Sequence, residues 1–191
     1  MSSTDDESPV RTGGGDDGRS TLIDGDRRFK DDIAFEALGA LDEAQVALGV
    51  CRSLLGDRDD VEVRLRADLE WIQRRMLIAG GVVAAAPGSP HLKELETLGD
   101  EDLATLDRVF SYWRGRVTIP PRFFIAGDTS IGAEFDRART VVRRAERAIV
   151  RLIHERGGYE RTFVSRFLNA LSDLGFVLAR WADEFYREPR S

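Results

Sequence analysis

The sequence predicts an all-α fold, an up-and-down bundle of about five helices. Three observations carry this expectation. Apolar residues recur every three to four positions through several long stretches, the period of a helix with one buried face. Turn formers stand at the joints: Gly56, Pro87, Pro120 with Pro121, and Gly157 with Gly158. No segment carries a convincing strand pattern. Several long amphipathic helices must bury their stripes together, which gives a bundle.

Each element has its own signal. Residues 1–11 are acidic, serine-rich and aperiodic, which predicts a disordered tail, and 188–191 form a second, short tail. Residues 12–29 have the glycine-rich, mixed-charge composition of a structured loop, and the bundle domain spans 12–187. A first helix begins at Asp31, where Asp31 or Asp32 supplies a cap. Ala34, Ala37, Leu38, Leu41, Gln45 and Leu48 share one face, and Gly56 stands at C′. A second helix runs from about Asp60 to Ala86 and stops before Pro87. Residues 87–99 read as a loop or broken helical segment. A shorter helix spans about Asp100 to Trp113. Beyond Pro120 and Pro121, Arg122 to Thr129 is an irregular connection. The fourth helix runs from about Gly132 to Arg156, with the glycine pair as its stop, and the fifth from about Glu160 to Tyr186.

Composition narrows the function. The 191 residues carry a net charge of −6 and a pI of about 5.1, which disfavours nucleic acid as a partner. The single cysteine, Cys51, sits in apolar helical surroundings, and no intrachain disulfide is possible, which suits a reducing compartment such as the cytoplasm. His91 and His154 lie far apart without ligand spacing, so no zinc or haem site is expected. No signal peptide or membrane span is expected either; the longest apolar candidate, Met76 to Pro87, is too short.

Against this acidic background the fourth helix stands out. Arg137, Arg139, Arg143, Arg144 and Arg147 fall within eleven residues. At 100° per residue Ala138, Val141, Val142, Ala145, Ala148, Ile149 and Leu152 form the apolar face. Arg139, Arg143 and Glu146 lie opposite, with Arg147 at the margin. Guanidinium groups bind phosphate bidentately, so a local basic rack in an acidic protein suits a small anionic ligand; a solvated basic face is the bland alternative. The fifth helix lines Phe167, Leu171, Leu174, Leu178, Trp181 and Phe185 along one face and places Asn169, Asp173, Phe176 and Arg180 opposite, which suits a subunit interface or ligand cleft.

Three further constellations accompany these helices. The loop Thr12-Gly13-Gly14-Gly15-Asp16-Asp17-Gly18-Arg19-Ser20-Thr21 can turn backbone N–H groups toward a phosphate. It is not a Walker A motif, and a flexible linker is the alternative. Lys30 closes the following segment and can reach a phosphate. Arg122-Phe123-Phe124-Ile125 can pack on a flat apolar ligand or plug the end of the bundle.

In this order and spacing the pieces resemble the PduO-type ATP:corrinoid adenosyltransferases. The resemblance rests on Thr12 with Gly15-Asp16-Asp17-Gly18, Arg27 with Lys30-Asp31-Asp32, Gly39-Ala40-Leu41-Asp42-Glu43 and Phe123 with Gly127. Ala138-Arg139, Arg143-Arg144-Ala145-Glu146-Arg147 and Asn169 with Leu171-Ser172-Asp173 complete it. It covers about residues 12 to 182. It implies a homotrimer with active sites between subunits, which moves the 5′-deoxyadenosyl group of ATP to the cobalt of cob(I)alamin and releases triphosphate. It further implies residues 12–30 as the nucleotide loop, with Thr12, Gly15, Asp16, Gly18, Ser20, Thr21 and Lys30 at the triphosphate and its Mg²⁺. Arg143 and Arg147 would neutralise the departing charge, Arg144 would also bind the ATP, and Glu146 and Asn169 would place the nucleoside. Asp42 would pair with Arg139 across the subunit boundary, and Phe123 would press on the corrin. A corrinoid reductase and a B12-dependent acceptor enzyme are the implied partners.

The chain departs from the family pattern at Gly13, Gly14, Ala126, Asp128, Asp136, Ala170 and Gly175, where the family has lysine, threonine, proline, glycine, histidine, arginine and a bulky residue. These positions touch both ligand sites. Two other readings therefore stand beside the enzyme: a non-catalytic trimeric paralogue that carries or senses ATP or a corrinoid, and a helical oligomerisation module whose arginine face meets an acidic partner.

Overall fold

The computed structural model describes residues 13–57 and 59–187, so the expected tails and Thr12 lie outside the described residues. Five helices form the body: α1 Ile33–Leu54, α2 Asp60–Ala84, α3 Asp100–Arg114, α4 Ser130–Arg156 and α5 Tyr159–Phe185. α4 packs most extensively on α5 and α1, α1 also on α2, and α3 on α5. No helix among the described residues is long and apolar enough to cross a membrane.

Capping explains the boundaries. Asp32, not Asp31, caps α1 and accepts the Ala34 N–H at 2.9 Å. Asp59 caps α2 with bonds from Val61 and Glu62. Thr129 caps α4 through the Gly132 N–H, so that helix starts two residues before the expected Gly132. Gly157 and Gly158 have φ of 69° and 106°, a conformation that favours glycine, and they fold α5 back against α4. Gly56 does stand just past the α1 cap, but it is not a left-handed stop. It is instead a close approach: its N–H donates to the Glu62 carboxylate at 3.0 Å, and an added Cβ would meet that carboxylate at 2.8 Å. The 87–99 connection contains one turn of 3-10 helix, Pro90–Lys93.

The core follows the predicted stripes. Leu65, Leu69, Ile72, Leu106, Trp113, Phe135, Ile149, Leu152, Phe167, Leu168 and Leu174 are all fully buried. On α4, Ala138, Val142, Ala145, Ile149 and Leu152 turn inward as expected. Cys51 is buried, and burial pushes its thiol up to about 12, so it behaves as a small apolar core residue.

Two expectations need correction. The 12–29 segment is not purely loop: β1 Arg19–Thr21 and β2 Arg27–Phe29 pair antiparallel, with Ser20 opposite Arg28. Each strand has three residues, too few to display an alternating pattern, and the Asp24-Gly25 turn makes the pairing. On α5, Arg180 does not point away from the core. It is 4% exposed, held by Asp136 at 2.5 Å and Asp183 at 3.0 Å. Two buried carboxylates make the interior accept a cation that a helical projection sends to the surface.

Candidate active site

The glycine loop and hairpin are fastened at both ends. Within the loop the Lys30 N–H donates to the Gly18 carbonyl at 2.9 Å, and Arg27 bonds both the Gly14 carbonyl and the Asp17 carboxylate at 2.9 Å. That guanidinium, then the Arg19 N–H, holds the Asp17 carboxyl below its usual range. Asp24, in the hairpin turn, accepts the Ala86 N–H at 2.6 Å and the Ser89 hydroxyl, which tie the turn to the end of α2. At the other end Arg156 grips Asp32 with two bonds of 2.8 and 2.7 Å. The Asp32 carboxyl is held down to about 2, chiefly by that guanidinium.

This scaffold presents the predicted phosphate ligands. The Lys30 ammonium lies 2.9 Å from where a Cβ on Gly15 would stand, so it rests close over the loop backbone at this glycine. Lys30 has no ion pair among the described residues. Asp16, Gly18 and Thr21 are exposed and Ser20 is half-buried. The chain here offers an exposed ammonium without an ion pair on a glycine-bearing loop, a charge that suits a phosphate.

The arginines of α4 separate into two sets. Arg137 pairs with Glu134, Arg139 with Asp136, Arg144 with Glu43 on α1, Arg151 with Glu155 and Arg156 with Asp32. Arg144, expected at the nucleotide, thus bridges α4 to α1 in this chain. Arg143 and Arg147 are exposed and carry no ion pair among the described residues. Two uncompensated guanidiniums one turn apart invite an anion. Glu146 is half-buried and Asn169 exposed, with no hydrogen bond to either side chain among the described residues.

Arg139 and Arg143 line a cavity of about 410 Å³ between α3, α4 and α5 with Phe110, Ile119, Asp173 and Phe176, a volume suited to a small-molecule ligand. The loop above it divides its aromatics. Phe124 packs edge-on against Phe176 at 5.8 Å, plugging the bundle end. Phe123 is fully exposed, and Ile125 is 92% exposed. The plug expected of this loop is thus made by Phe124, and Phe123 packs on nothing among the described residues. A larger cavity of about 650 Å³ opens at the start of α4, between Leu54, Asp128, Ile131 and Tyr186. There Asp128 pairs with Arg187 at 3.0 Å.

One chain does not gather every predicted ligand. The hairpin docks on α4 at Arg156, and Arg143 lies 13 residues away, roughly 20 Å along the axis. Asp42 and Arg139 do not pair within the chain. Asp42 borders a separate cavity with Glu43, Val46, Arg137 and Val141. Arg180, Asp136 and Asp183 form a buried cluster that the sequence did not signal, because ionisable residues are ordinarily assigned to solvent.

Known proteins resemble the chain in sequence and in fold. A corrinoid adenosyltransferase of Citrobacter freundii is 31% identical over 172 residues, which are 90% of this chain and 93% of that protein. The corrinoid adenosyltransferase of Homo sapiens is 31% identical over 176 residues, 91% of this chain and 68% of that protein. A variant PduO-type ATP:corrinoid adenosyltransferase from Lactobacillus reuteri, solved complexed with cobalamin and ATP, superposes with a TM-score of 0.84 at 28% identity. That superposition covers 95% of this chain and 94% of the other. A sequence profile of the cobalamin adenosyltransferases matches residues 10–182, and the chain belongs to that family.

Proposed function

We propose that this protein transfers the 5′-deoxyadenosyl group of ATP to the cobalt of cob(I)alamin or another corrinoid and releases triphosphate. The unpaired Arg143 and Arg147 on an otherwise ion-paired helix carry this reading. The reaction makes a cobalt–carbon bond at C5′ and breaks the bond from C5′ to the triphosphate oxygen. The reduced cobalt is the nucleophile, so the chain need not supply one. Its residues bind, orient and neutralise. Thr12, Gly15, Asp16, Gly18, Ser20, Thr21 and Lys30 take the triphosphate. Arg143 and Arg147 meet the charge that grows on it as it leaves. Glu146 and Asn169 place the nucleoside, and Phe123 meets the corrin.

Among the described residues no cluster of three acidic, histidine or cysteine side chains could hold a metal. Mg²⁺ would arrive on the triphosphate oxygens, keeping several of its own waters. The separation of hairpin and Arg143 along α4 favours a site completed between copies of the chain. A homotrimer is our reading, with Asp42 of one copy reaching Arg139 of the next and the exposed Val46 in the contact. Residues 12–187 act as one domain. Cob(I) requires a reductase upstream, and a B12-dependent enzyme takes the product; both would work with this protein in the cytoplasm.

The test is anaerobic: purified protein, chemically reduced cob(I)alamin and MgATP, with cob(I) absorbance followed and adenosylcobalamin confirmed by mass. The wild-type protein is expected to form product. Arg143→Ala is expected to lose at least about 100-fold in kcat with unchanged thermal unfolding. Wild-type protein that binds ATP but forms no product with any corrinoid would favour the carrier or sensor reading. An Arg143→Ala variant as active as wild type would remove that residue from the reaction.

A further inference from the structure

Asp136 is 6% exposed and lies one turn before Arg139 on α4. Its two oxygens serve two different arginines. Oδ1 accepts Arg139 Nε at 3.1 Å, and Oδ2 accepts Arg180 Nη2 at 2.5 Å. Arg180 in turn faces Asp183 at 3.0 Å and sits 4.9 Å from the Phe124 ring. Asp183 accepts the N–H and hydroxyl of Thr129, at the end of the Phe123 loop. The cluster therefore joins the arginine lining the cavity to the loop that carries the exposed aromatic.

The geometry at Arg139 shows what this achieves. An arginine side chain free in solvent loses rotamer freedom when it is ordered. Here Nε is already bonded, which sets the plane of the guanidinium and leaves both Nη groups without an acceptor among the described residues. Gly175 allows the approach: a Cβ there would stand 3.1 Å from the Arg139 Cβ. Asp136 also stands between two cations, the half-buried Arg139 and the buried Arg180, and bonds both.

We infer that Asp136 is a positioning residue for adenosyl transfer: it orients the Arg139 fork at the cavity, where Asp42 of the next copy would meet it, and, through Arg180, locks that fork to the Phe123 loop. The inference rests on the function proposed above, and it assigns to Asp136 a task absent from the list of ligand-binding residues. Asp136 touches no substrate in this account; it acts through Arg139.

The test is a double-mutant cycle of Asp136→Asn and Arg139→Gln, with kcat, KM for ATP, ATP dissociation constant and thermal unfolding read for all four proteins. Asp136→Asn is expected to lower kcat/KM about tenfold in the wild-type background, and by less than about twofold when Arg139 is already glutamine. If Asp136→Asn does not fold, Asp136→Glu keeps the buried charge, displaces both oxygens, and replaces it in the same cycle. A merely structural Asp136 gives the same loss in both backgrounds, and that result overturns the inference, as does an Asp136→Asn variant equal to wild type. An inactive wild-type protein would instead overturn the proposed function, and this inference with it; an active wild type with no coupling overturns only the assignment of Asp136.

Discussion

Asp32→Asn should unfasten the nucleotide loop while leaving the α1 cap in place, because asparagine caps a helix about as well as aspartate. What it removes is the bidentate contact from Arg156, at 2.8 and 2.7 Å, to a carboxylate that is only 15% exposed. Arg156 first, with the Ala34 N–H supporting it and burial opposing, holds that carboxyl at about 2 against an ordinary 3.8. The depression corresponds to about 2 kcal/mol of folding stability near pH 7. Because the folded-state value lies below the unfolded one, this stability is complete above about pH 5 and is lost as pH falls toward 2. About half is gone at pH 3. Urea unfolding followed by circular dichroism, on wild type and Asp32→Asn, reads the difference directly. The gap should be about 2 kcal/mol near neutrality and about 1 kcal/mol near pH 3. A neutral-pH gap under about 0.5 kcal/mol, the range of ordinary surface changes, would refute the reasoning. So would a gap that does not shrink with acid.

Three further outcomes follow from the geometry. Phe123→Ala should leave the unfolding midpoint unchanged, since the ring is fully exposed, yet reduce turnover with cob(I)alamin while sparing the KM for ATP; calorimetry and steady-state kinetics check both. Gly132→Ala should destabilise by about 2 kcal/mol, because an added Cβ would lie 2.1 Å from Asp183 Oδ1; chemical denaturation measures this. Cys51, buried with its thiol pushed up to about 12, should resist a thiol reagent at neutral pH until urea unfolds the protein, and rapid labelling of the native protein would contradict its placement.

The helices were legible because their evidence is local and repeated. Five stripes, the Asp32 cap and the Gly157-Gly158 stop can each be read from a few neighbouring residues, and the folded chain has them within a residue or two. The hairpin was not legible, since three-residue strands give no period and their pairing depends on a turn. Arg180 was placed on the wrong side for a different reason. A helical projection sorts residues by angle about one axis and assumes one buried face, whereas α5 is buried on several sides and Arg180 is held there by Asp136, 44 residues earlier, and by Asp183. The arginines of α4 show the same limit. Sequence marks Arg143, Arg144 and Arg147 alike as ligands of ATP, and only the fold reveals that Arg144 is committed to Glu43 while Arg143 and Arg147 carry no ion pair among the described residues.

Ser89 is 65 positions from Asp24 in the chain and bonds it directly. With the grip of Arg156 on Asp32, the nucleotide loop is clamped at two places, by the connection that follows α2 and by the end of α4. A loop held this way has already given up most of its conformational entropy before ligand arrives, so little affinity is lost to ordering it. Substitutions near Ser89, far from any phosphate, would then weaken nucleotide affinity by softening the cradle rather than by removing a contact.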